Sequence, residues 1–327
     1  MSVETLGNWG DAIRGVGVQF AEFKSQFEGE YSPSWEPVVK TMPANGAARI
    51  TTSGLTGVGL PTRFTDGSTV PKKNRYKLYD TEFNIDHYGA QISVSRFTIL
   101  TREFQEKFDE FKALAYGARV LKSKAPAQIF NRMFTSGNGV TNGVHVTTYG
   151  DAKPLASVSH PRVDGGSAQS NASSTGITLT ESNFETARLA LMNQLNDDGT
   201  PIEITGSIHL VVPDDLEKTA TIITGSTQRS GTANNDLNFY SGGSYPVLSS
   251  KWLNATHGGS ATQWALVALS TSGTPLRMYM FGDLALDMSV DKNTKSAIFD
   301  VILDFEVGSV DWRGFWATKG DGQAYSD

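Results

Sequence analysis

The chain has 327 residues and a formal net charge of −6, from 28 basic and 34 acidic side chains. That length accommodates one large domain or two ordinary ones with a full core, and the acidic balance excludes a protein that coats DNA by charge alone. It contains no cysteine, which excludes disulfides and thiolate metal sites.

Residues 1–45 read as an arm. Trp9, Ile13, Val16, Phe20, Phe23 and Phe27 recur at near-helical spacing, although Gly10, Gly15 and Gly17 each weaken such a helix by up to ~1 kcal/mol relative to alanine. The stretch Tyr31-Ser-Pro-Ser-Trp35-Glu-Pro37 is expected to be extended, because residues before proline avoid the helical region. The aromatic residues Trp9, Phe20, Phe23, Tyr31 and Trp35 need a surface to dock on, either the chain's own domain or a neighbour. No secretory signal is expected, since the first residues lack a basic region followed by an apolar one. No apolar run approaches the ~18 residues needed to span a bilayer.

Residues 46–88 are rich in glycine and threonine and poor in aliphatic residues. Asp66-Gly67 is a hairpin signal, flanked by Thr62-Arg63-Phe64-Thr65 and Ser68-Thr69-Val70. Lys72, Lys73, Arg75 and Lys77 follow, interleaved with Tyr76 and Tyr79. A two-stranded ribbon is marginal alone in water, so it is expected to lie on another surface. Its cations suit a carboxylate-bearing protein neighbour at least as well as nucleic acid.

Ile92 and Val94 alternate as in a short strand. A long amphipathic helix is expected over about 101–134, with Phe104, Phe108, Phe111, Ala115 and Ala118 on one stripe and a kink at Pro126. Residues 138–180 are turn-rich. A second helix over 181–196 carries Phe184, Ala187, Leu191 and Leu195 on one face, with Ser182-x-x-Glu185 as a capping box. The strand Ser207–Val212 leads into a helix with Pro213 at its first position and Asp214 and Asp215 in its first turn. Two long strands, through Leu284–Val290 and Phe299–Val307, alternate with period two and are expected to pair antiparallel. Asp300, Asp304 and Glu306 are expected to face water or a partner.

Chemistry-bearing motifs are missing from the sequence. There is no phosphate loop and no nucleophile elbow; Gly54-Leu-Thr-Gly57-Val-Gly59 is followed by Leu-Pro rather than a helix. His87, His145, His160, His209 and His257 are scattered, so a zinc site would have to be assembled from distant residues. Asp197-Asp198 and Asp214-Asp215 are explained by their places at a helix end and a helix start. The expectation is a structural protein with no catalytic residue, no cofactor and no metal. Asn171-Ala-Ser and Asn254-Ala-Thr match a glycosylation pattern that is common by chance.

Several stretches occur together in one order. They are Gly89-Ala-Gln-Ile-Ser-Val-Ser-Arg96, Ser159-His-Pro-Arg-Val-Asp-Gly-Gly-Ser-Ala-Gln-Ser-Asn171, Phe184 through Ile202, Leu210-Val-Val-Pro-Asp-Asp-Leu-Glu217 and Val310-Asp-Trp-Arg-Gly314. In that order they resemble the major capsid proteins of tailed bacteriophages, the Hong Kong ninety-seven type fold, and most nearly the Mu-like prophage major head subunit. The resemblance implies an α+β phage major-capsid fold. Residues 1–45 would be the N-terminal arm and 46–88 an extended β-hairpin loop over an adjacent subunit. Residues 89–180 and 284–327 would form a peripheral domain with a spine helix, and 181–283 an axial domain whose loops, including 226–243, meet around symmetry axes. It further implies pentamers and hexamers in an icosahedral virion shell, built in the host bacterial cytoplasm around double-stranded DNA held without sequence specificity. Scaffold, portal and decoration proteins are possible partners, and no membrane is.

Inter-subunit contacts are then expected from Arg63, Phe64, Lys72, Lys73, Arg75 and Lys77 in the loop and from Trp9, Phe20, Phe23, Tyr31 and Trp35 in the arm. Deleting residues 1–45 is expected to leave a folded subunit that assembles poorly. No scaffold-like segment precedes the arm, so scaffolding is expected to come from elsewhere or not to be needed. Some relatives form a Lys–Asn cross-link, but no partner Asn or acid matches Lys72, Lys73 or Lys77, so none is expected here. The alternatives are an encapsulin-type compartment on the same fold, a hydrolase with a hidden cleft, and an extracellular binding module.

Overall fold

The computed structural model describes residues 8–28, 35–56, 59–100, 104–228, 237–243, 245–270 and 275–327. In chain order the elements are α1 (Asn8–Glu28), β1 (Val39–Pro43), β2 (Arg49–Thr52), β3 (Thr81–Asn84), β4 (Asp86–Val94), α2 (Arg96–Leu100), α3 (Phe104–Asn131), β5 (Gly139–Thr141) and β6 (Val144–Thr147). They continue with α4 (Glu181–Met192), β7 (Ile204–Pro213), α5 (Asp214–Gly225), β8 (Val247–Ser250), β9 (Trp264–Ser270), β10 (Leu276–Met280), β11 (Ala285–Val290), β12 (Ala297–Ser309) and β13 (Phe315–Thr318).

The strand β12 organises the larger sheet. On one edge its C-terminal half pairs with β10 (Met280 opposite Phe305) and its N-terminal half with β11 (Val290 opposite Ala297). On the other edge it pairs antiparallel with β4, from Val94 opposite Ala297 to Asp86 opposite Phe305, and then parallel with β6. Strands β1 and β5 extend this sheet at its two ends. The expected alternation is the reason: Phe299, Val301, Leu303, Phe305 and Val307 are all buried on one face. Asp300 and Asp304 take the other face, accepting from Gln91 and pairing with His87 of β4. Glu306 departs from the expectation. It is fully buried, because β6 covers that end of β12 and presents Thr147 and His145 to its carboxylate.

Two helices cover the sheet. The Phe stripe of α3 forms its N-terminal half: Phe108 and Phe111 pack with Phe299 and with Phe20 and Phe23 of α1, with Phe20–Phe111 centroids 5.5 Å apart. Helix α3 runs past Pro126 to Asn131 without interruption. Its C-terminal half supplies Ala125, Ala127, Ile129 and Phe130 to a second core, joined by Met133 from the turn that follows, and there Trp35 stacks on Phe130.

A smaller sheet, ordered β13-β9-β7-β8, carries α4 and α5. The N-cap of α4 is Thr180, whose hydroxyl accepts from Asn183 N. Ser182 is therefore inside the helix, and Glu185 is released from a capping box to pair with Arg188. Pro213 is the N-cap of α5 rather than its first helical residue, so the acidic first turn starts at Asp214. Although β10 lies within residues 181–283, it belongs to the large sheet; β13, within 284–327, belongs to the small one.

Candidate assembly surfaces

The extended loop is built as a paired base and an open tip. At the base, β2 and β3 pair from Arg49 opposite Asn84 to Thr52 opposite Thr81, and single bonds continue the pairing through Leu78 N to Gly54 O and Thr56 N to Tyr76 O. Beyond that point no strand is formed among the described residues of the tip. Asp66-Gly67 does make a turn, closed by Ser68 N donating to Thr65 O, with Gly67 at φ +81°. The flanking segments expected as strands run unpaired among the described residues.

Every residue from 60 to 77 is exposed. The tip therefore offers Leu60, Phe64 (51 % exposed), Val70 and Tyr76 to its surroundings. It carries five cations, Arg63, Lys72, Lys73, Arg75 and Lys77, against one acid, Asp66. Arg75 donates to Thr56 O at 3.1 Å and Lys77 pairs with Asp80 at 2.5 Å, both within the loop. Arg63, Lys72 and Lys73 have no ion-pair partner among the described residues. Such an exposed cationic and aromatic strip has the composition of a contact surface. The loop is tied to the body of the subunit where Gly59 N donates to Asp198 in the turn after α4 and where Thr81 Oγ1 accepts from Gly150 N.

The arm residues behave differently. Phe20, Phe23 and Trp35 are buried in the chain's own cores, and Arg119 lies over the Phe27 ring at 3.7 Å while donating to its carbonyl. The Trp9 side chain and Tyr31 lie outside the described residues. Deletion of residues 1–45 would thus remove Val16, Phe20, Phe23, Phe27, Trp35 and Val38 from the core, so it would unfold the subunit and not only impair assembly.

A second outward surface had only a faint sequence signal, the alternating Leu237-Asn-Phe239-Tyr in an otherwise polar loop. Leu237 is 85 % and Phe239 74 % exposed, at the mouth of a shallow groove of about 560 Å³ against α4. Its floor is a hydrogen-bonded set: Arg188 donates twice to Glu185 at 2.7 Å, and Tyr240 Oη donates to the same carboxylate at 2.6 Å. Those bonds, Arg188 first and Tyr240 second, pull the Glu185 carboxyl down to about 2. Burial, and then the hydrogen bond to Glu185, push the Tyr240 hydroxyl up.

The loop 151–172 contains acid, base and hydroxyl side chains but no accessible site. His160 Nδ1 pairs with Asp151 at 2.6 Å, Nε2 lies 3.1 Å from Asn171 Oδ1, and the ring stacks on Trp312 at 4.5 Å. Asn171 Nδ2 donates to Leu155 O and Trp312 O, and its Oδ1 accepts from Ser157 N. All of these groups are buried. The set is a clasp that closes the His-Pro…Ser-Asn loop onto Trp312, and it also leaves Asn171 unavailable to a glycosyl group. Asp197, expected at a helix end, instead receives the buried Arg313, which also holds Asp311.

No helix among the described residues is long and apolar enough to cross a membrane. The family of phage capsid proteins matches residues 78–318, well over half of the chain; the match does not single out the Mu-like subgroup. No curated protein matches the chain. Among solved structures, one from Mycobacterium phage Patience is similar over 99 % of this chain and 91 % of its own, at 11 % identity and a TM-score of 0.52. The capsid of an empty GTA particle matches 88 % of this chain and 90 % of its own, at 11 % identity and a TM-score of 0.50. The capsid of bacteriophage JBD30 decorated with minor capsid protein trimers matches 68 % of this chain and 92 % of its own, at 14 % identity and a TM-score of 0.50. At such identities these likenesses establish the α+β phage-capsid fold, and the family match establishes the role: the chain belongs to the phage capsid protein family and is a major capsid protein of the Hong Kong ninety-seven type.

Proposed function

We propose that the chain assembles as a homo-oligomer of pentamers and hexamers into an icosahedral virion shell around double-stranded DNA, with no catalytic role. The observation that carries this is the tip 60–77, exposed along its whole length and bearing five cations against one acid. In a lattice the tip lies over an adjacent subunit, its aromatic side chains buried there and its cations setting the register. The groove at Leu237 and Phe239 supplies a second contact, at the axial end of the subunit. Many contacts of this kind, each weak, hold a closed shell by acting simultaneously.

The domain assignment follows the two sheets. The large sheet with α1 and α3 is the peripheral domain and takes in β10; the small sheet with α4 and α5 is the axial domain and takes in β13. The net charge of −6 suits an inner face that encloses DNA without gripping it. Assembly in the host cytoplasm, with scaffold, portal and decoration proteins contributed separately, completes the reading.

The test is electron microscopy of the native protein with its contents assayed after nuclease treatment. Closed shells holding protected DNA are expected. Protein-filled shells would assign the chain to a compartment instead, and a stable monomer under conditions that include a scaffold would overturn the lattice. Denaturing gels of those shells are expected to show a single monomer band, without a cross-linked ladder.

A further inference from the structure

We propose that Asp86, His145 and Glu306 form a binding site for a divalent cation of the zinc class at the foot of the extended loop. The three residues are far apart in sequence and come from β4, β6 and β12, which meet at this point of the large sheet. Each offers a ligand atom, and the three atoms lie within 4.8 Å of one another.

Glu306 is what marks the cluster as more than neighbouring polar groups. Its side chain is fully buried. One oxygen, Oε1, accepts from Thr147 Oγ1 at 2.7 Å and pairs with His145 Nδ1 at 2.7 Å. The other, Oε2, is buried with no hydrogen-bond partner. A buried carboxylate oxygen without a donor is rare, because its lost hydration is not replaced. Asp86 adds a second carboxylate from the adjoining strand, and no Lys or Arg forms an ion pair with either acid among the described residues. The site therefore presents two carboxylates, one imidazole and one unfilled buried acceptor.

One imidazole nitrogen and two carboxylate oxygens suit zinc, whose structural sites are four-coordinate with His and acidic ligands. Calcium and magnesium prefer six or more oxygens and tolerate imidazole poorly. Zinc ligands at ~2.0–2.2 Å from the metal lie about 3.3 Å from each other. Half-buried His145 and Asp86 can close to that spacing by side-chain rotation while Glu306 stays fixed in the sheet. Thr147 would then act as a positioning residue, holding the Glu306 carboxylate in place. A bound cation would pin the start of β4, and with it the base of the extended loop, to the centre of the large sheet. This site does not depend on the lattice contacts described above.

The experiment is calorimetric titration of the purified, chelator-stripped full-length protein with zinc chloride, alongside thermal unfolding with and without the metal. Saturable binding of one zinc per chain is expected, with a higher Tm, and neither calcium nor magnesium should compete. Asp86→Asn and His145→Ala should each weaken binding by at least about tenfold, whereas His257→Ala, on an exposed histidine, should not. Glu306→Gln should abolish binding; if it fails to fold, Asp86→Asn at the rim decides. Absence of saturable binding to the wild type would overturn the proposal and leave Oε2 to a proton or a water. Binding that survives both Asp86→Asn and His145→Ala would overturn it equally.

Discussion

Two loops of this molecule start from nearly the same chemistry and end in opposite states. One runs Pro61-Thr-Arg63-Phe-Thr-Asp66-Gly67, the other Pro161-Arg162-Val-Asp164-Gly165. Both make a turn with glycine at positive φ, +81° at Gly67 and +79° at Gly165. The first is exposed throughout, and Arg63 has no ion-pair partner among the described residues. In the second, Arg162 grips Asp164 and donates to Asp197 O at 2.9 Å. Beside it His160, Asp151 and Asn171 satisfy one another out of water. Turn residues decide how a chain reverses. Whether the loop belongs to the subunit or to its surroundings depends on side chains that complete hydrogen bonds behind it.

The most damaging way to break this contrast is Trp312→Ala, which removes the ring under His160 and leaves a cavity. It should cost about 3–5 kcal/mol in denaturant unfolding of the unassembled subunit. Asn171→Ala should follow at about 2–4 kcal/mol. It leaves Ser157 N and two carbonyls buried without their partner, each such group costing roughly 1–3 kcal/mol in part-relaxed surroundings. If Asn171→Ala proves neutral, the clasp is not what holds the loop. Gly67→Ala, in the exposed tip, should cost only about 1 kcal/mol, from the forbidden backbone region.

Glu185 sharpens the comparison on the axial surface. Its pKa is lowered in the fold, so the stabilisation is complete above the ordinary carboxylate range near 4.5 and is lost as pH falls toward about 2. The difference in Tm between wild type and Glu185→Gln should shrink over that window. The pair is partly exposed and screened, so the effect at neutral pH should be under about 1 kcal/mol. Smallest of all on stability is the joint replacement of Lys72, Lys73, Arg75 and Lys77 by serine, expected within about 0.5 kcal/mol of wild type, because these side chains touch little of their own subunit.

Legibility in the sequence followed the range of the interactions. The alternation of Phe299 to Phe305 and the stripe through Phe108, Phe111 and Ala115 report burial on a single element, and they placed β12 and α3 correctly. The alternation misled at Glu306, where the covering strand β6 lies about 160 positions earlier in the chain. The cap at Thr180 was hidden because Ser182 offered an equally good local pattern. The tip cations were visible as a cluster, and all five are exposed. The aromatic residues of the arm were visible too, but spacing alone does not say which core receives them, and Phe20, Phe23 and Trp35 fill the chain's own.

The most direct test of the central claim is sedimentation velocity with negative-stain microscopy on the wild type and on the variant Lys72→Ser/Lys73→Ser/Arg75→Ser/Lys77→Ser, under one assembly condition. The wild type should form closed shells. The variant should keep the wild-type circular dichroism and Tm but remain as subunits or small oligomers. Normal shells from a fully folded variant would contradict the assignment of the extended loop as the contact that builds the lattice.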